Sequence, residues 1–131
     1  MESLALYAAT FIIFMHGLIH LMGFTAYWKL AELKELPYKT TLLDGRWDVG
    51  DGGIRMFGAL WLVVAVAYMI VTYGLLTEQE WWRTMMAVVT ISSLVLTILD
   101  ANVAYAGVVV NIVILGILII SSDAVQSTLF G

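Results

Sequence analysis

Residues 54–99 read IRMFGALWLVVAVAYMIVTYGLL (54–76), TEQE (77–80) and WWRTMMAVVTISSLVLTIL (81–99). Each apolar run is close to the length of about 20 residues that a helix needs to cross a hydrocarbon core of about 30 Å. Neither alternates in the two-residue rhythm of a barrel strand. In lipid the backbone must satisfy its own hydrogen bonds, so both runs are expected to be helices. The linker Thr77–Glu80 is too short for anything except an antiparallel hairpin.

The same pattern extends outward. Leu4–Trp28 forms an apolar run before this hairpin and Val103–Ile120 another after it, with Asp100–Asn102 as a second tight turn. The expected fold is all-α: a polytopic membrane protein built as an antiparallel four-helix transmembrane bundle. It is one membrane domain, 1–131, with helices at about 4–36, 52–76, 80–99 and 102–121 and a connecting segment at 37–51. Lys29–Leu36 keeps helical periodicity and is expected to extend the first helix as far as Pro37, the only proline, which stops it. Tyr27, Trp28, Trp81 and Trp82 close their runs, as interfacial aromatic anchors do. Gly17, Gly58, Gly107 and Gly116 offer close helix contacts. The opening run lacks a basic n-region and is longer than a secretory h-region of about 7–15 residues, so it is expected to be a retained span.

Composition agrees. Hydrophobic residues make up 62 % of the chain and charged ones 12 %, with a mean hydropathy of +0.95. A soluble domain carries about 45–50 % apolar and about 25 % charged residues. No basic tract is present, which argues against nucleic-acid partners. The chain has no cysteine, which excludes disulfides, thiolate metal sites and covalent haem attachment. Lys29, Lys34, Lys39, Arg46 and Arg55 gather in or beside the first connection, and only Arg83 lies at the other end. The positive-inside rule then puts the 37–51 connection in the cytoplasm of a prokaryotic cell membrane and both termini outside.

Polar residues within apolar helices are costly and mark candidate sites. His16 and His20 stand four apart, on one helix face and about one turn from each other. Such a pair can bond neighbouring helices, relay protons or share a metal, the last only with a third ligand from elsewhere; no metal site is assigned. Asp51 is placed as an N-cap of the second long helix, and Arg55 can pair with it or with Asp48. The spacing Asp48-x-x-Asp51-Gly52-x-x-Arg55 lacks the alanine and later aspartates of CDP-alcohol phosphotransferases, and Asp44, Asp48 and Asp51 do not form a calcium loop. Asp100 or Asn102 can cap the last helix, while Asn111 lies about two turns inside it. Thr90, Ser92, Ser93 and Thr97 can bond their own backbone. At about 1.5 Å per residue, His20 and Asn111 lie roughly 12 Å below the face that carries the long connection, and His16 lies near mid-span. A polar half-cavity opening toward that connection is expected, lined by His16, His20, Arg55, Asp100, Asn102 and Asn111.

The phrases His16-Gly-Leu-Ile-His-Leu-Met-Gly-Phe24 and Gly58-Ala-Leu-Trp-Leu62 resemble a group of small uncharacterised prokaryotic four-helix membrane proteins, DoxX-like in architecture. That resemblance implies a helix plan and, in some members, an association with quinone-linked redox complexes. It carries no catalytic residue, because the family's acidic position early in the second helix has no counterpart here. The expected function is a membrane protein whose polar pocket binds a small amphipathic ligand, a quinone or a lipid, or which acts as an accessory subunit or homo-oligomer. A membrane-embedded enzyme using His16 and His20 for acid–base or metal-assisted chemistry fits the same residues. So does a proton or ion transport component.

Overall fold

A computed structural model of the protein describes residues 2–130; the side chains of residues 124–126 and 130 lie outside that description. The chain runs α1 (Ser3–Ile19), α2 (Leu21–Tyr27), β1 (Thr41–Leu42), β2 (Trp47–Asp48), α3 (Gly50–Leu76), α4 (Trp82–Leu99), α5 (Ala101–Ile120) and α6 (Asp123–Phe130). Four spans, Ser3–Tyr27, Gly50–Leu76, Trp82–Leu99 and Ala101–Ile120, are long and apolar enough to cross a membrane. They follow the expected runs, with one correction at the first.

That span does not continue to residue 36. It ends at Tyr27, and residues 28–36 are not helical. Lys29 adopts φ +54°; its N–H bonds to Ala26 O at 3.2 Å and that of Leu30 to Thr25 O at 2.9 Å. This is a Schellman closure, a motif that usually places glycine at the left-handed position. Lysine in that place left no sequence signal, so helical periodicity outran the helix. Pro37 lies well past the stop. The α3–α4 linker ends α3 in the same way, with Glu78 at φ +51° and Gln79 N–H on Gly74 O at 2.9 Å.

The span is also interrupted at His20. Its backbone N–H bonds to Gly17 O at 3.1 Å, a tightened turn, while its ring takes the carbonyl of His16. The connection then folds back as an irregular segment and a two-stranded antiparallel hairpin, Thr41 opposite Asp48 and Leu42 opposite Trp47. Leu43 N–H bonds to Leu99 O at 2.9 Å, which docks the hairpin on the end of α4.

Neighbours in sequence pack as neighbours in space: α1 and α2 on α3, α3 on α4, and α4 on α5. The close approaches run through glycine. A Cβ on Gly17 would meet Tyr68 Cβ at 2.6 Å, and one on Gly23 would meet the Trp61 ring at 2.5 Å. Gly58 and Gly107 are similarly crowded, whereas Gly116 meets nothing within 4 Å and makes no close contact. Tyr27 is fully buried rather than at a surface as an aromatic anchor. α5 packs along α4 but scarcely against α1–α3, and Asn111 is its only buried residue among those described. α5 therefore meets α1 through the His16–Asn111 hydrogen bond rather than along its length.

Candidate functional site

His16, His20, Tyr68, Thr90, Ser93, Thr97 and Asn111 converge on one buried network that joins α1, α3, α4 and α5. His20 Nδ1 lies 2.7 Å from His16 O. A carbonyl only accepts, so Nδ1 carries the proton and donates. In the neutral ring Nε2 is then an acceptor, and Ser93 Oγ–H donates to it at 2.5 Å. Asn111 Nδ2 donates to Ser93 Oγ at 2.9 Å and to Thr97 Oγ1 at 3.3 Å. With its amide placed that way, Asn111 Oδ1 accepts from His16 Nε2 at 2.9 Å. Tyr68 Oη–H lies 3.0 Å from Thr90 Oγ1 and 3.3 Å from Asn111 Oδ1. The histidine tautomers are assigned from this network, and the Tyr68 hydroxyl has two acceptors within reach.

The two imidazoles adjoin as their spacing implies, with ring centroids 4.9 Å apart and perpendicular planes. Tyr68 lies against both, at 5.1 and 5.2 Å, and Trp61 lies 5.2 Å from His20. Among the described residues no group of three or more His, Asp or Glu side chains is placed to hold a metal ion. His16 and His20 thus gain no third donor.

Asp100 belongs to a separate cluster at the end of α4. It is fully buried, and its carboxylate makes no side-chain cap on α5. Tyr27 Oη–H donates to one oxygen, and the Lys39 ammonium forms an ion pair with the other. Lys39 thus fastens the connection to the bundle, a role that its place in a basic segment did not reveal. Asn102 is exposed on the first turn of α5 and joins neither cluster.

Arg55 is exposed on α3, its guanidinium 4.6 Å from the Trp28 ring centre, and it does not enter the polar core. Neither Asp48 nor Asp51 pairs with it among the described residues, a correction to the expected ion pair. The expected cap fails too. Val49 occupies the N-cap position of α3, Asp48 Oδ1 accepts from Gly50 N–H at 3.0 Å, and Asp51 accepts from Tyr38 Oη–H. That hydrogen bond to a carboxylate holds the Tyr38 phenol above its usual range.

A cavity of about 200 Å³ borders the network. His16, His20, Gly23 and Trp61 line one side, Val103, Ala104, Gly107 and Val110 of α5 line the other, with Thr97 between and Glu35 and Leu36 of the connection at one end. Of the residues expected to line a half-cavity, His16 and His20 do so. Asn111 lies behind them, and Arg55, Asp100 and Asn102 lie elsewhere. One residue was missed, Tyr68, an aromatic in an apolar run with no mark of its own; Trp61 lines the cavity, and its buried Nε1–H has no hydrogen-bond partner among the described residues. A larger depression of about 690 Å³ lies beneath the connection, but its lining, including Lys29, Glu32 and Lys34, is mostly exposed.

The chain matches no protein-family model, and no curated protein or solved structure is significantly similar to it.

Proposed function

We propose that this chain is an integral membrane protein that binds a small amphipathic ligand in the cavity beside His16, His20 and Trp61. The observation that carries the proposal is a cavity lined by Trp61, whose buried Nε1–H finds no acceptor among the described residues. A buried N–H without an acceptor is costly by about 1–3 kcal/mol, and a ligand oxygen relieves that cost. The surrounding side chains hydrogen-bond to one another as a rigid frame, which leaves His16 Nδ1 without a donor among the described residues.

The volume favours a head group over a whole molecule. Sites that engulf drug-sized ligands span about 300–1,000 Å³, so here the rest of the amphiphile stays in lipid. With the basic connection on the cytoplasmic side, the cavity lies in the cytoplasmic half of the bilayer. A quinone or a lipid fits this description, and an accessory role in a larger membrane complex is compatible with it. The DoxX-like resemblance contributes a plan of four short helices and none of the residue assignments.

Titration of the solubilised protein with a short-chain quinone analogue tests the proposal. Trp61 emission should fall saturably, and Val110→Phe, which fills the cavity, should weaken the effect at least tenfold. A linear, unsaturable response in both proteins would count against any binding site here.

A further inference from the structure

Shape, polarity and charge converge on one class of ligand and one route of access; this inference rests on the proposed binding role of the cavity. The cavity lies in the sparsely packed seam between α1–α2 and α5, beside the His16–Asn111 bond that bridges it. Ile19 and Ala106 line it and are also exposed, Ile19 by 55 %. Both belong to spans apolar enough to cross a membrane, so the seam faces the hydrocarbon. The α5 wall combines the small residues Ala104, Ala106 and Gly107 with Val103 and Val110.

Polarity adds a donor and an acceptor. Trp61 lines the cavity, and its buried Nε1–H has no acceptor among the described residues. His16 donates through Nε2 to Asn111, so its Nδ1 keeps a lone pair that finds no donor among the described residues. Both rings neighbour His20, at 5.2 and 4.9 Å, and a head group with two oxygens can address both. Charge narrows the choice further. Among the described residues no lysine or arginine lines the cavity, and the one charged residue that does is Glu35. Lys39 is held by Asp100 and Arg55 stacks on Trp28. A phosphate or carboxylate would be buried there without a counter-charge.

We infer that the cavity takes the uncharged, hydroxyl-bearing head group of a single-chain amphiphile, which enters sideways from the bilayer between α1–α2 and α5. An acceptor oxygen of the head takes the Trp61 N–H, and a hydroxyl donates to His16 Nδ1. The chain of the amphiphile leaves past Ile19 and Ala106 into lipid.

The test uses the full chain in phosphatidylcholine nanodiscs, observing the Trp61 indole ¹⁵N–¹H resonance, assigned by its loss in Trp61→Phe. The probes are 1-decanoylglycerol, decane and, at pH 8, decanoate. The resonance should move downfield saturably with decanoylglycerol, stay in place with decane, and need at least tenfold more decanoate. An equal response to decane overturns the polar head, and an equal response to decanoate overturns the uncharged one. If none of the three saturates while the quinone analogue does, the ligand class is wrong and the site stands; if the quinone analogue also fails, the binding role falls with it. For the route, Ala106→Trp at the exposed rim should weaken decanoylglycerol at least tenfold, whereas Asn102→Trp, at the connection end of the same helix, should not. Any other pattern from these two variants overturns sideways access.

Discussion

At the scale of single residues, two asparagines in one helix separate depth from contact. Asn111 bonds His16, Ser93 and Thr97 and receives Tyr68, whereas Asn102 is exposed. Asn111→Ala strands several buried partners and should lower stability by about 1–3 kcal/mol; Asn102→Ala should stay within about 0.5 kcal/mol. Unfolding in mixed micelles with increasing dodecyl sulfate compares the two. In the sequence both were polar residues near one end of a span. Depth arithmetic gives height along a helix but not the direction a side chain faces, which is why Asn111 was legible and Asn102 and Arg55 were misplaced. Tyr38 offers a second residue-level check. Its bond to Asp51 favours the protonated phenol, so this contact is present below the ordinary tyrosine range near pH 10 and is lost as pH rises through the higher folded value. The absorbance difference between wild type and Tyr38→Phe should titrate above that range, and Asp51→Asn should bring it down.

At the scale of elements, the helices were legible because apolar length is a strong signal, and so were the ends of the last three spans, but not the end of the first. Lys29 and Glu78 take left-handed conformations that sequence signatures assign to glycine, so the stop at Tyr27 was hidden. The hairpin and its docking by Lys39 depend on contacts between distant residues, which periodicity does not encode. That docking makes a sharp prediction. Lys39→Met leaves the buried Asp100 carboxylate with Tyr27 alone and should cost about 3–5 kcal/mol, as removal of one partner of a buried pair does. Adding Asp100→Asn removes the stranded charge while keeping an acceptor for Tyr27, so the double variant should recover much of the loss. Thermal unfolding of the two singles and the double measures the coupling; additive losses would contradict it. The glycines give a parallel contrast. Gly17→Ala forces a Cβ against Tyr68 and should cost about 1–3 kcal/mol, while Gly116→Ala, with open space around it, should stabilise α5 by about 0.5–1 kcal/mol.

For the whole molecule, the arrangement of charge and the arrangement of polarity agree on one direction. The basic residues crowd the connection, and the buried Asp100–Lys39 pair and the cavity's Glu35 end lie on that same side. The far end carries Arg83, whose guanidinium bonds Leu118 O at 2.7 Å and Ser121 Oγ at 3.0 Å, and few other charges. Orientation therefore decides which leaflet supplies the ligand. If the basic side is cytoplasmic, the cavity samples the inner leaflet, and a head group made or consumed by cytoplasmic chemistry reaches it without crossing the bilayer. The absence of cysteine from the chain makes this directly measurable, because single cysteines need no altered background. Glu32→Cys in the connection and Glu80→Cys in the α3–α4 linker both replace exposed side chains. With a membrane-impermeant maleimide on intact cells, Glu80→Cys should label at once and Glu32→Cys only after permeabilisation. The reverse pattern would turn the molecule over and move the cavity to the outer leaflet, and equal labelling from one side would contradict an odd number of crossings between the two positions.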